Sequence, residues 1–176
     1  MNAAEISFDI AVATPADALL CDAVLQASYE TLMPGAYAPD VLAAALPLMT
    51  RANPRLLASG TYYLATVATG GVASCGGWTL ERPGDGGIEP GLGHIRHFAV
   101  HPEWTRMGIG RALFEACAAA ARAQDVRRLE CYASLNAVAF YRALGFKPVR
   151  EVDIAMSEAV VFPSMVMEAR IWQLDG

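Results

Sequence analysis

Apolar and polar residues alternate weakly over residues 6–13, and a period of two predicts a first strand. Thr14-Pro15 breaks the pattern: Thr14 suits a helix cap, and Pro15 suits the first helical position. Leu19, Leu20, Val24 and Leu25 then carry a helix toward Tyr29, until Met33-Pro34-Gly35 ends it. A second helix follows Pro39-Asp40 over residues 41–48. Residues 61–69 and 72–80 are rich in β-branched and aromatic side chains and flank Gly70-Gly71, the pattern of a hairpin. Residues 82–91 hold two prolines and four glycines and read as a loop. Next come a strand at 93–100, a helix at 110–124, a strand at 127–133 and a short helix at 136–144 with Gly145 as its C-cap. Strands at 146–154 and 164–172 close the chain. The order β-α-α-β-β-β-α-β-α-β-β predicts an α/β (α+β) fold, a mixed and mostly antiparallel sheet of six to seven strands with helices on its faces.

Composition narrows the class. The 176 residues suffice for one domain with a proper core, and no repeat, linker or compositional shift marks a second, so 1–176 is read as a single domain. Hydrophobic residues make up 55% and charged residues 18%, the balance of a globular chain. A net charge of −5 argues against a nucleic-acid partner, which requires a basic face. Apolar runs such as residues 116–121 are too short to span a bilayer, and the first residues lack the pattern of a signal peptide. Cys21, Cys75, Cys117 and Cys131 are widely spaced with no Cys-x-x-Cys, the usage of reduced, buried thiols in a cytoplasmic protein.

The candidate chemistry lies in His101-Pro102-Glu103-Trp104-Thr105-Arg106-Met107-Gly108-Ile109-Gly110-Arg111, between a strand and a helix. A helix start leaves about four backbone N–H groups without internal partners and carries partial positive charge. Glycines in front of it let a phosphate approach the backbone. Arg106 and Arg111 can add charge-assisted contacts. The alternative is a tight turn into a helix with no ligand. Two nucleotide motifs fail on residues: a Walker loop needs Gly-Lys-[Ser/Thr], but Arg111-Ala112 follows Gly110. A dinucleotide fingerprint needs Gly or Ala where Leu113 stands.

This loop resembles the coenzyme-A loop of the GNAT acetyltransferase superfamily, Gln/Arg-x-x-Gly-x-Gly/Ala between a strand and a long helix. Gly108 and Gly110 match both glycines, and Thr105 departs from the Gln/Arg position, with Arg106 one place later. Downstream, Ser134-Leu135-Asn136-Ala137-Val138-Ala139-Phe140-Tyr141-Arg142-Ala143-Leu144-Gly145-Phe146 resembles the family's second segment through Asn136, Ala139, Tyr141, Gly145 and Phe146. The close resemblance covers residues 94–149. It implies a GNAT-type sheet splayed between its two central strands, with acetyl-CoA as acyl donor and no metal. Phe98, Ala99 and Val100 would meet the pantetheine arm through their backbone. Thr105, Arg106, Met107, Gly108, Ile109, Gly110, Arg111 and Ala112 would cradle the pyrophosphate, and Asn136 would contact the arm. The implied reaction is direct attack by a primary amine, of a small molecule or peptide, in a ternary complex.

Acetyl transfer to an amine needs a base for the amine, a donor for the oxyanion and an acid for the leaving thiolate. The resemblance gives Tyr141 the role of acid; otherwise it is a ring packed on the sheet. His94, six residues before Val100, stands where several family members keep a catalytic Glu or His, and an imidazole titrates near neutral pH. The alternative is a strand-end histidine exposed to solvent. His94 and His97 differ by an odd number and would face opposite ways. His97 and His101 would lie about 13 Å apart along a strand, which disfavours a shared metal. His97 reads as a core or interface histidine. In this family the first two helices and last strands build the acceptor pocket, which brings in Tyr29, Met33 and Tyr37. A different class is a non-catalytic acyl-CoA sensor or structural subunit, for which Tyr141 would be dispensable. As partners we expect an amine or peptide acceptor, no nucleic acid and no membrane, in a monomer or homodimer.

Overall fold

The computed structural model describes residues 6–172. Seven strands form one sheet: β1 (Phe8–Val12), β2 (Tyr62–Val67), β3 (Val72–Thr79), β4 (Leu92–Val100), β5 (Arg128–Ser134), β6 (Lys147–Ala155) and β7 (Val161–Arg170). Their order is β1-β2-β3-β4-β5-β7-β6. Every pairing is antiparallel except β4 with β5, where a helical crossover makes the strands parallel. The sheet is thus the mixed, mostly antiparallel one expected.

Five helices cover it: α1 (Ala18–Leu32), α2 (Pro39–Met49), α3 (Pro54–Leu57), α4 (Ile109–Arg122) and α5 (Val138–Ala143). Thr14 does cap a helical start: its backbone N–H donates to Asp17 Oδ2 at 2.8 Å over a 3₁₀ turn at Pro15–Asp17 that leads into α1. The single turn α3 was not expected. Four residues give no amphipathic period, but Asn53 caps it by accepting the Arg55 N–H at 2.9 Å.

The sheet divides the core. Leu25, Tyr29, Met33 and Leu42 from α1, α2 and the segment between them pack with Tyr62, Leu64, Cys75, Ala99 and Phe162 on one face. Phe114, Cys117 and Ala121 of α4 pack with Ile95, Leu129, Cys131 and Met167 on the other. The four cysteines are buried and unpaired, as their spacing suggested.

Strand β4 departs from regular geometry near its middle. It pairs Arg96 with Gly77 and Ala99 with Cys75, so β4 spends three steps where β3 spends two. The extra residue is His97, whose φ of 49° lies in the left-handed region. Side-chain alternation slips there. Ile95 and Phe98, three apart, both pack on the α4 face, while His94, beside Glu130, looks to the α1 face. Counting by twos along the sequence places His94, Arg96 and Phe98 on one face; the bulge separates Phe98 from the other two.

The bulge is built in. A Cβ at Gly76 would collide with the Phe98 ring, and one at Gly77 would collide with Tyr62 and the Thr61 carbonyl. The Tyr62 hydroxyl donates to the His97 carbonyl at 2.7 Å, and the Tyr29 hydroxyl to the Phe98 carbonyl at 3.1 Å. The His97 ring meets the Met49 carbonyl at 2.6 Å through Nε2.

Candidate active site

β4 and β5 part from Ile95 onward, just ahead of the bulge. They pair only at Leu92–Arg128, Gly93–Leu129 and His94–Glu130, whereas β5 stays paired to β7 through Ser134. The His101 N–H donates to the Ala73 carbonyl at 2.8 Å. Amide direction alternates along a strand, so the Val100 N–H points the other way, into the opening beside β5.

Two adjoining cavities occupy this opening. The larger, about 630 Å³, is lined by Phe98, Ala99 and Val100 on one side and Ser134, Asn136 and Tyr141 on the other. Its far end reaches Thr105, Arg106, Gly108, Gly110 and Arg111 at the start of α4. The smaller, about 260 Å³, shares Tyr29, Phe98, Ser134, Ala137 and Tyr141 with the first. It continues between Met33, Leu48, Met49, His97, Tyr132, Met156 and Phe162. Among the described residues, no carboxylate lines either cavity.

The loop's residues divide by role. Gly108 caps α4 with φ 79°, and no atom lies within 4 Å of where its Cβ would be, so its side is open. Gly110 is closed in: a Cβ there would come 2.9 Å from Val100 Cγ2 and 3.1 Å from the Phe140 ring. Packing against Val100 and Phe140 already requires glycine there, and Gly110 also lines the larger cavity. Ile109 is fully buried, Met107 is half-exposed, and these two and Ala112 do not line the cavity. Arg106 lines it with φ 61°, and Arg111 lines it while donating to the Ala143 carbonyl at 2.9 Å.

The residues present fit coenzyme A. Asn136 lines the larger cavity, and its amide oxygen is buried without a hydrogen-bond partner. The N–H groups of Ile109, Gly110 and Arg111 precede the first intrahelical donor of α4, Ala112, and suit an anion. Among the described residues, no cluster of three His, Cys, Asp or Glu could hold a metal ion.

Tyr141 faces both cavities. Its ring packs edge-on against Phe140 and Phe146, at 5.2 and 5.3 Å between centroids. Burial pushes its hydroxyl well above the usual phenol range, so it stays protonated. Tyr29 lines both cavities and Met33 the smaller. Tyr37 lines neither, contrary to expectation. Its hydroxyl donates to the Pro163 carbonyl at 2.7 Å and accepts the Leu135 N–H at 2.8 Å, tying β7 to the start of the α5 segment. Its ring stacks on Phe162, which does line the cavity.

The histidines exchange places. His94 lines neither cavity. It is 2% exposed, with Nδ1 3.5 Å from the Glu130 carboxylate and Nε2 sealed without a partner. Burial, then Arg82 and Arg96, hold it below its ordinary value. His97, read from sequence as a core or interface residue, lines the smaller cavity. Strict alternation concealed this, because a one-residue bulge has no clear mark in a sequence. The Gly76-Gly77 pair opposite was the available signal.

The sequence profile of the acetyltransferase (GNAT) domain family matches residues 53–169. No curated protein matches significantly. Among similar solved structures is a GCN5-related N-acetyltransferase from Rhodopseudomonas palustris, 19% identical at a TM-score of 0.69, covering 97% of this chain and 98% of that one. The PaiA N-acetyltransferase from Thermoplasma acidophilum, solved in complex with coenzyme A, is 15% identical at a TM-score of 0.70, covering 93% and 99%. The ribosomal-protein-S18-alanine N-acetyltransferase from Escherichia coli is 18% identical at 0.60, covering 94% of each chain. At these identities the likeness is one of fold.

Proposed function

Because the chain belongs to the GNAT acetyltransferase family, whose acyl donor is acetyl-CoA, we propose that it transfers the acetyl group to a primary amine carried on an apolar arm. The carrying observation is the pair of adjoining cavities that share Tyr141 on their walls. One runs to a helix start and fits the donor; the other is walled by methionines and aromatic rings and fits an acceptor. An uncharged lining favours a small amine or peptide end whose neighbouring groups are apolar, because a second charge there would lose its hydration with no carboxylate to offset the loss. The three similar structures named above are N-acetyltransferases, one of them of a ribosomal-protein alanine. That agrees with an amine acceptor here.

Acetyl-CoA supplies an activated thioester. The chain's own residues do the rest. Gly108 and the first N–H groups of α4, with Arg106, hold the phosphates, while Asn136 and the free edge of β4 hold the arm. The Val100 N–H faces the opening and can donate to negative charge that builds on the carbonyl oxygen. Tyr141 gives its proton to the departing sulfur. His94, the expected base, is proposed instead as a buried partner of Glu130 that firms the β4–β5 junction.

The test is a panel of primary amines with acetyl-CoA, following free thiol release. Release that depends on the amine, with acetylated product, supports transfer. Tight coenzyme A binding with no amine-dependent release from any member would favour an acyl-CoA sensor.

A further inference from the structure

With His94 sealed away from both cavities, the acceptor amine needs another base, and the bulge supplies one. We propose that His97, through Nδ1, is the group that takes the acceptor amine's proton; this rests on the acetyltransferase reading above.

The tautomer is set by a backbone contact. Nε2 of His97 lies 2.6 Å from the Met49 carbonyl oxygen, which can only accept. Nε2 therefore carries the hydrogen, and in the neutral ring Nδ1 carries the lone pair. Nδ1 has no partner among the described residues and is not among the sealed unpartnered atoms, on a residue that lines the smaller cavity. Tyr141 lines the same cavity, so a proton acceptor and a proton donor border one space. His94 offers no such lone pair: one nitrogen faces Glu130 and the other is sealed.

The backbone aims the ring. A regular strand would alternate His97 to the α4 face. The extra residue at φ 49° turns it to the α1 face, where Tyr62 and Met49 hold its backbone and its ring. Its burial and the nearby Arg96 keep it neutral. Asp22 and Tyr29 approach from α1, Tyr62 from β2, Tyr132 from β5, Tyr141 from α5 and Arg96 from its own strand. Burial is the largest influence and lowers the imidazole below its ordinary value; Arg96 acts the same way, and the Met49 carbonyl and Asp22 oppose.

The step balances. As the nitrogen–carbon bond forms, Nδ1 accepts the proton that the nitrogen loses. The electron pair of the breaking carbon–sulfur bond leaves on sulfur, which Tyr141 protonates. The imidazolium and the tyrosinate return to their starting states by proton exchange with solvent.

His97→Gln keeps an Nε2 donor for the Met49 carbonyl and removes the lone pair of Nδ1. With acetyl-CoA and 2-phenylethylamine, together with other apolar primary amines, wild type should show an acidic limb in kcat/KM centred below about 6.5. His97→Gln should lose that limb and about 10²-fold or more in kcat, with KM for acetyl-CoA nearly unchanged. His94→Gln should keep the limb. A His97→Gln enzyme with wild-type rate and profile overturns the assignment and leaves the acetyltransferase reading standing. A wild-type enzyme silent toward every amine, though it binds coenzyme A, overturns both. Nitrogen-15 NMR of the wild-type histidines gives a reading independent of turnover and of the variant's folding. A neutral ring at pH 7 with hydrogen on Nε2 is expected for His97; imidazolium, or hydrogen on Nδ1, defeats the proposal.

Discussion

At the scale of single residues, the site depends on burial. Tyr141→Phe preserves the ring against Phe140 and Phe146 but removes the proton. We expect kcat to fall by at least about 10²-fold while coenzyme A affinity by calorimetry stays within a factor of a few. Equal turnover would make Tyr141 a packing residue. The two neutral histidines also couple stability to pH. Both are held below their ordinary value in the folded chain. The unfolded chain therefore takes up protons that the native state refuses as pH falls through about 6.5. Stability is full above that pH and declines below it, by up to about 1.4 kcal/mol per pH unit for each histidine. Urea unfolding between pH 7.5 and 5.5 should show the loss, and His94→Gln should reduce it. The place of Tyr141 and Asn136 on the cavity wall was legible because each sits in a spaced motif. The place of His97 on the smaller cavity was not, since it follows from a backbone slip.

At the scale of elements, the glycine loop was legible as a motif, but its two glycines were read too evenly. Gly108 and Gly110 look equivalent in a motif, and only packing tells them apart. Gly110→Val forces methyl groups into Val100 and Phe140, and overpacking of this kind costs about 1–3 kcal/mol. Its main effect should be a lower midpoint in chemical denaturation. Gly108→Val meets no neighbour but sits at φ 79°, a conformation that costs about 1–2 kcal/mol for a residue with a Cβ, and fills the open side. Coenzyme A affinity should drop more for Gly108→Val than its stability loss implies. Unchanged affinity in the folded variant would remove the loop from the donor site. Helix and strand positions were legible because the hydrophobic period survives in the long elements. α3 and Tyr37 were not: the first is too short to show a period, and the second is tied down by hydrogen bonds across 126 and 98 residues of chain.

At the scale of the whole molecule, the mixed, mostly antiparallel character of the sheet followed from element order, while the strand order β1-β2-β3-β4-β5-β7-β6 did not. The parting of β4 from β5 has a further consequence. One half of the sheet is β1-β2-β3-β4 and the other is β5-β7-β6, stitched by three residue pairs. Such a seam divides a domain into units that can open separately, each with its own hydrogen-exchange rate. In the free protein, amides of β6 and β7 should exchange through openings that leave β2 and β3 protected. A ligand arm laid along the seam bridges both halves, and openings that break the seam become rarer in proportion to its occupancy. Coenzyme A should therefore slow exchange in β6, an edge strand that lines no part of the donor cavity. Slowing confined to the cavity walls would instead mean that the two halves already move as one.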